Sequence, residues 1–182
     1  MKKFFLVPVL MIAFSTFIHA QKWAFVDTEY ILKNIPEYNS AQQELDKTSV
    51  EWQKQIEAKY AEIDKLYKAY QAEQILLTEE MRKKRENEIV AKEKDAKELQ
   101  KSKFGVDGEL FKKRQEMVKP IQDKVYNAVK AIAEKGGYAA IFDKASEMTI
   151  LFSNPKFDKS DEVLESLGYK SGTGKEVKAN SK

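Results

Sequence analysis

Between Tyr38 and Tyr70 the large apolar residues fall at intervals of three or four. Trp52, Ile56, Tyr60, Ile63, Tyr67 and Tyr70 form one narrow stripe, with Lys, Glu and Gln filling the positions between. That spacing predicts a helix with one buried seam and an otherwise solvated surface. The pattern is interrupted at Ile75-Leu76-Leu77-Thr78. It resumes through Met81, Ile89, Ala96, Leu99, Val106, Leu110, Met117, Ile121, Val125 and Ile132. Thr78 suits the N-cap of the second helix, with Glu79 and Glu80 in its first turn. At 1.5 Å per residue, residues 38–75 span about 57 Å and residues 79–119 about 61 Å. Matched lengths predict an antiparallel α-hairpin with its tip near 75–79; a single unbroken helix of about a hundred residues, roughly 150 Å long, is the alternative.

The flanks are β-prone. Trp23-Ala24-Phe25-Val26 reads as a strand running into Asp27-Thr28, a capping pair for a short helix, Glu29–Ile35, that stops at Pro36. After Gly136-Gly137, which suits a helix C-cap, Tyr138–Phe142 and Met148–Phe152 read as two strands of a hairpin turning at Asp143–Glu147. Asn154-Pro155 marks a turn, Ser160 opens a short helix closed by Gly168, and residues 169–182 read as a disordered polar tail. The fold class expected is α+β, mainly α. The hairpin arm comprises 38–119, and a β-rich body comprises 21–37 and 120–168. Within the second limb, Gly105 and Gly108 each cost roughly 1 kcal/mol relative to Ala in a helix. Pro120 removes a backbone donor. A flexible point is expected at the glycines and a kink at the proline.

So small a sheet is marginal by itself and leaves open edges. Phe25, Ile141, Phe142, Ile150, Leu151 and Phe152 nonetheless concentrate an apolar load there. Sharing the strands between copies would bury it, which predicts a homo-oligomer.

Residues 1–20 carry Lys2 and Lys3 before the apolar run Phe4–Phe17 and end in Ile18-His19-Ala20, the form of a secretory signal cleaved after Ala20. An uncleaved anchor is the alternative, although the run is shorter than the roughly 20 residues that span a bilayer. Cleavage removes the only histidine, and the chain contains no cysteine. Disulfides, thiolate chemistry, Cys/His zinc sites and a histidine acid/base are thereby excluded. Without Lys2 and Lys3 the chain holds 30 basic and 29 acidic residues. That balance argues against a nucleic-acid binder. No nucleophile elbow, phosphate loop or ligand cluster is present, so neither an enzymatic activity nor a cofactor is expected.

Ala24-Phe25-Val26-Asp27-Thr28-Glu29-Tyr30-Ile31-Leu32 opens the chain. Pro120-Ile121-Gln122-Asp123-Lys124-Val125, Ala131-Ile132-Ala133, Gly137-Tyr138, Ile141-Phe142-Asp143-Lys144, Leu151-Phe152 and Asp161–Leu167 follow in order. With these segments the chain resembles the Skp/OmpH family of periplasmic chaperones over nearly all its mature length. The resemblance implies a homotrimer with a shared β-barrel body and three α-hairpin tentacles. Its implied activity is an ATP-independent holdase that keeps unfolded outer-membrane proteins soluble in the periplasm. Phe25, Ile141, Phe142, Ile150 and Phe152 would form the oligomer core. Candidate client-binding residues are Tyr67, Tyr70, Ile75, Leu76, Leu77 and Met81 with the cluster Arg82, Lys83, Lys84 and Arg85. For the tyrosines the alternative is zipping the two limbs together; for the basic cluster it is an ordinary solvated face. Near-neutral charge departs from basic members of the family and confines any weak membrane or lipopolysaccharide contact to that tip cluster. A second reading is a structural envelope spacer or adaptor whose hairpin docks a membrane partner, although the extra β-rich domains of such adaptors are missing here.

Overall fold

The computed structural model describes residues 22–146 and 150–170. The signal segment 1–20, Met148 and Thr149 of the expected second strand, and tail residues 171–182 lie outside the described residues.

Among the described residues two strands, β1 (Lys22–Val26) and β2 (Tyr138–Asp143), bracket all but the last of the α-helices. They pair in parallel, with Trp23 opposite Ala140 and Phe25 opposite Phe142. Parallel neighbours need a long crossover, and here the crossover is the entire arm. Alternation along β1 sends Ala24 and Val26 inward, where both are buried, and leaves Trp23 and Phe25 on the other face.

The inward face packs on α1 (Thr28–Lys33), the proximal end of α4 (Glu109–Gly136) and α5 (Ser160–Ser166). Val26, Ile31, Ile35, Val125, Ala128, Ile132, Val163 and Leu164 form this core, with Ile141 and Tyr169 packed against it. Each fully buried Ile or Leu contributes roughly 1.5–3 kcal/mol by leaving water. Asp27 caps α1 by accepting from the Tyr30 amide at 2.9 Å. Gly137 ends α4 in the left-handed region at φ 64°. The tail expected from residue 169 does not start there: the Tyr169 hydroxyl bonds both Glu37 carboxylate oxygens at 2.9 Å.

The arm's first limb is α2 (Pro36–Glu73), with Pro36 in its first turn, where a missing N–H costs nothing. Glu62–Lys92 at 2.7 Å and Glu44–Lys113 at 3.6 Å join it to the second limb. As numbers rise along one limb they fall along the other, so the limbs are antiparallel. The second limb is two helices, α3 (Glu79–Phe104) and the distal part of α4, separated by Gly105–Gly108. The helix runs through Pro120 without interruption.

One strand expectation is corrected. Ile150–Phe152 is irregular, and β2 pairs with β1 rather than with the segment that follows it. The Lys144 amide donates to Val26 O at 2.7 Å. Its ammonium meets Asp158 at 2.5 Å. Both contacts tie the chain to the end of the sheet just after β2.

Candidate functional site

At the distal end, Leu76 N donates to Glu73 O at 2.9 Å to make the turn. The Thr78 side chain accepts from Met81 N at 3.3 Å and starts α3. Turning in so few residues leaves no room to fold apolar side chains inward. Ile75 and Leu76 are 84% and 86% exposed, Met81 is half exposed and Leu77 is partly covered. Behind them Arg82 Nε bonds Leu77 O at 3.2 Å, and Arg85 reaches Glu88 at 3.5 Å. Lys83 and Lys84 form no ion pair among the described residues. The structure therefore brings Ile75, Leu76, Leu77, Met81 and the basic cluster together at one end of the arm.

The tyrosines of the stripe divide. Tyr70 donates its hydroxyl to Glu86 on the opposite limb, and that hydrogen bond raises the phenol above its usual pKa. Tyr67 has no such partner and is half exposed. Ile56 and Ile63 are the buried members of the seam, and Leu66 contributes to it beside Tyr70. Along α4, Val118 and Ala128 join Val125 and Ile132 as buried residues that the spacing did not single out. Val50, Val90 and Phe111 are exposed along the limbs. Isolated apolar residues carry no distinctive sequence signal, because exposed ones are common.

The second uncovered surface lies on the body, about an arm's length from the tip. On the outer sheet face Trp23 stacks on Phe142 at 5.4 Å between ring centroids, and Phe25 lies 5.9 Å from Phe142. A concavity of about 560 Å³ beside them is lined by Tyr138, Phe157 and three lysines, Lys22, Lys156 and Lys159. In the segment after β2, Leu151 is 95% exposed and Phe152 80% exposed, with Ile150 partly covered. Of the residues expected in an oligomer core, Phe25 and Phe142 share this outer face, whereas Ile141 turns inward onto the chain's own core. Trp23 and Phe157 were not singled out. Strand alternation carries the signal for Trp23, since it shares the parity of Phe25.

A polar knot anchors the base of this surface. Asp143 accepts from the Thr28 hydroxyl at 2.6 Å and from its amide at 3.1 Å. The buried Ser160 hydroxyl accepts from the Asp27 amide at 2.8 Å and donates to Asp158 at 2.6 Å. Partial burial works against the Asp158 charge, but hydrogen bonds from Lys144 and Ser160 outweigh it and hold the carboxyl below its usual value. Among the described residues no three acidic or imidazole side chains converge as for a metal ion, and no helix is long and apolar enough to cross a membrane.

Residues 22–167 match the family model for outer membrane proteins of OmpH-like type. An uncharacterized protein of Aquifex aeolicus (strain VF5) is 31% identical over 167 residues, which cover 92% of this chain and 96% of that protein. A crystal structure from Caulobacter crescentus CB15, described as a candidate outer membrane chaperone (OmpH-like), superposes with a TM-score of 0.62 at 11% identity. The match covers 81% of this chain and 83% of that one. The long helical arm on a small parallel sheet is thus a fold shared with that protein, and the chain belongs to the OmpH-like outer membrane protein family.

Proposed function

We propose that this protein is an exported, ATP-independent holdase that binds unfolded outer-membrane proteins in the periplasm and keeps them from aggregating. The observation that carries the reading is the pair Ile75 and Leu76, almost fully exposed at the end of an arm of about 57 Å. Such residues at the tip of a solvated helix pair add little to the fold, yet they offer an extended apolar chain a place to leave water. Each fully covered contact of this size contributes roughly 1.5–3 kcal/mol, so several weak contacts can hold a client without trapping it. Release then needs no chemical fuel, because a folding client withdraws the apolar surface that the contacts use. No bond is made or broken in this cycle.

The same reading makes the working unit a homotrimer. Trp23 and Phe157 are about half exposed and Leu151 and Phe152 almost fully exposed, and exposed apolar residues gathered in one part of a chain commonly mark an interaction surface. In the trimer, Phe25, Phe142, Ile150 and Phe152 lie between subunits and the arms surround a common space.

A denatured outer-membrane β-barrel protein diluted into buffer with the mature oligomer tests the proposal. Near-stoichiometric protein is expected to suppress turbidity without ATP. An Ile75→Ser/Leu76→Ser variant with unchanged circular dichroism is expected to lose most of that suppression. Undiminished client aggregation in the presence of the intact oligomer would overturn the holdase reading. Recovery of one folded partner by crosslinking at the tip, with no unfolded clients, would instead favour the adaptor.

A further inference from the structure

We infer that the outer edge of β1 is a docking cleft for the carboxyl end of an extended polypeptide whose last residue is aromatic. β1 has two edges. On one it pairs with β2, and the Val26 carbonyl takes the Lys144 amide there. On the other, the Phe25 carbonyl accepts from Lys159 N at 2.8 Å, and Phe25 pairs with Asp158 in a single parallel bridge. Main-chain groups two residues apart along a strand point the same way, so the Trp23 N–H and C=O face that second edge as well. Among the described residues no hydrogen bond takes them.

The edge is open for a local reason. The Asn154 side chain accepts from Lys156 N at 3.0 Å, and Pro155–Phe157 turns as a 3₁₀ helix, so this part of the chain meets β1 only from Asp158 onward. Ahead of that bridge the two segments part and leave the concavity of about 560 Å³, with Trp23 and Phe25 on one wall and Lys156 and Phe157 on the other. Its size suits a small ligand or a few side chains. The bridge closes it toward Asp158. A strand laid along Trp23 runs into that bridge and stops, so only the end of a chain fits.

Charge decides which end. Lys22, Lys156 and Lys159 line the cleft, and no acidic side chain does. Lys22 donates to the Gly136 carbonyl at 3.3 Å, a long hydrogen bond, and Lys156 forms no ion pair among the described residues. Lys159 is shared between Glu162 at 2.7 Å and the Tyr138 ring, whose centroid is 5.8 Å away. An amino terminus is repelled here, whereas a carboxylate meets charge-assisted donors. Trp23 and Phe157, each about half exposed, leave aromatic surface uncovered beside those ammoniums. A ring on the last residue therefore packs where its own carboxylate is paired. Main-chain pairing gives such docking its affinity, and the pocket gives it selectivity. In the chaperone reading the docked end belongs to a client; the cleft itself lies within one chain and rests on neither that reading nor the trimer.

A peptide titration tests the cleft in the full mature protein. The probe is an acetylated hexapeptide of alternating threonine and valine that ends in phenylalanine, prepared with a free carboxylate and as the carboxamide. The chain has two tryptophans, so Trp52→Phe leaves Trp23 as the reporter. The free acid is expected to give a saturable change in Trp23 fluorescence, and the amide to bind at least tenfold more weakly. Lys22→Gln/Lys156→Gln, with unchanged circular dichroism, is expected to weaken the acid at least tenfold and the amide less than twofold. Calorimetry on the unsubstituted chain is expected to rank acid and amide in the same order. Equal affinities for acid and amide would overturn the inference, as would a peptide ending in serine that binds as well as the one ending in phenylalanine. Absence of saturable binding up to about 1 mM would also overturn it, as when a second copy already fills the edge. The probe cannot aggregate or be rescued, so its failure is distinct from failure in the aggregation assay.

Discussion

A single backbone angle fixes where the longest crossover in the chain comes back to the sheet. Gly137 ends α4 at φ 64° with open space where a Cβ would stand, so replacing it carries a purely conformational cost. For a residue other than Gly that cost is about 1–2 kcal/mol. Gly137→Ala is expected to lower the stability of the body by about 1 kcal/mol in urea titrations at fixed protein concentration, with no change in helix content. Asp158 controls the other side of the body through charge. Its carboxyl is held below the usual value of 3.8, so the stabilisation it supplies is complete at neutral pH and disappears as pH falls through that lowered value. Asp158→Asn keeps the shape but loses the ion pair with Lys144. The acid limb of its melting curve, from about pH 4 down, is expected to be flatter than that of the wild type. Above pH 4 the variant is expected to melt at lower temperature.

Among the elements, the helices were legible and the second strand was not. Three-and-four spacing in α2, the Thr78 cap and the Gly136-Gly137 stop are local signals, and each lies where the sequence placed it. Tyr60 and Tyr67 both match the period, but only the Tyr60 hydroxyl reaches across to the other limb, at Gln100, whereas Tyr67 is half exposed. A period alone gives the stripe without its centre. Ile150–Phe152 has the composition of a strand, yet a strand also needs an edge, and contacts distant in sequence at Val26 and Asp158 take the chain elsewhere. The tip cluster was legible for the opposite reason: a short turn between two helices leaves its residues uncovered whatever the rest of the chain does. This separation of seam from flank gives a direct test. Leu45→Ala removes a side chain buried with Ala41 and Val118 between the limbs and is expected to cost about 2–5 kcal/mol. Val50→Ala, at an exposed position of the same helix, is expected to stay within about 0.5 kcal/mol. Amide exchange along α2 resolves the two effects.

At the scale of the whole molecule the two uncovered surfaces make opposite demands. The tip can remain open because it is small and flanked by Arg82, Lys83, Lys84 and Arg85, which keep it solvated and discourage tip-to-tip association. The body, on the proposed reading, is covered by other copies, because Trp23, Phe25, Phe142 and Phe157 present aromatic surface at a short sheet with a free edge and Leu151 and Phe152 are exposed in the segment that follows it. In the trimer proposed above, apolar burial between copies is the term that assembles the particle, while the arms contribute a fold of their own. A Leu151→Ser/Phe152→Ser variant separates the two. In light scattering it is expected to lose the trimer and fall to a smaller species at micromolar concentration. Its far-ultraviolet circular dichroism is expected to keep most of its helical signal, since the seam of the arm and the core around Ile31 and Leu164 lie within one chain. An unchanged trimer would show that this pair is not the contact between copies. Loss of helix together with the trimer would show that arm and body fold only as an assembly.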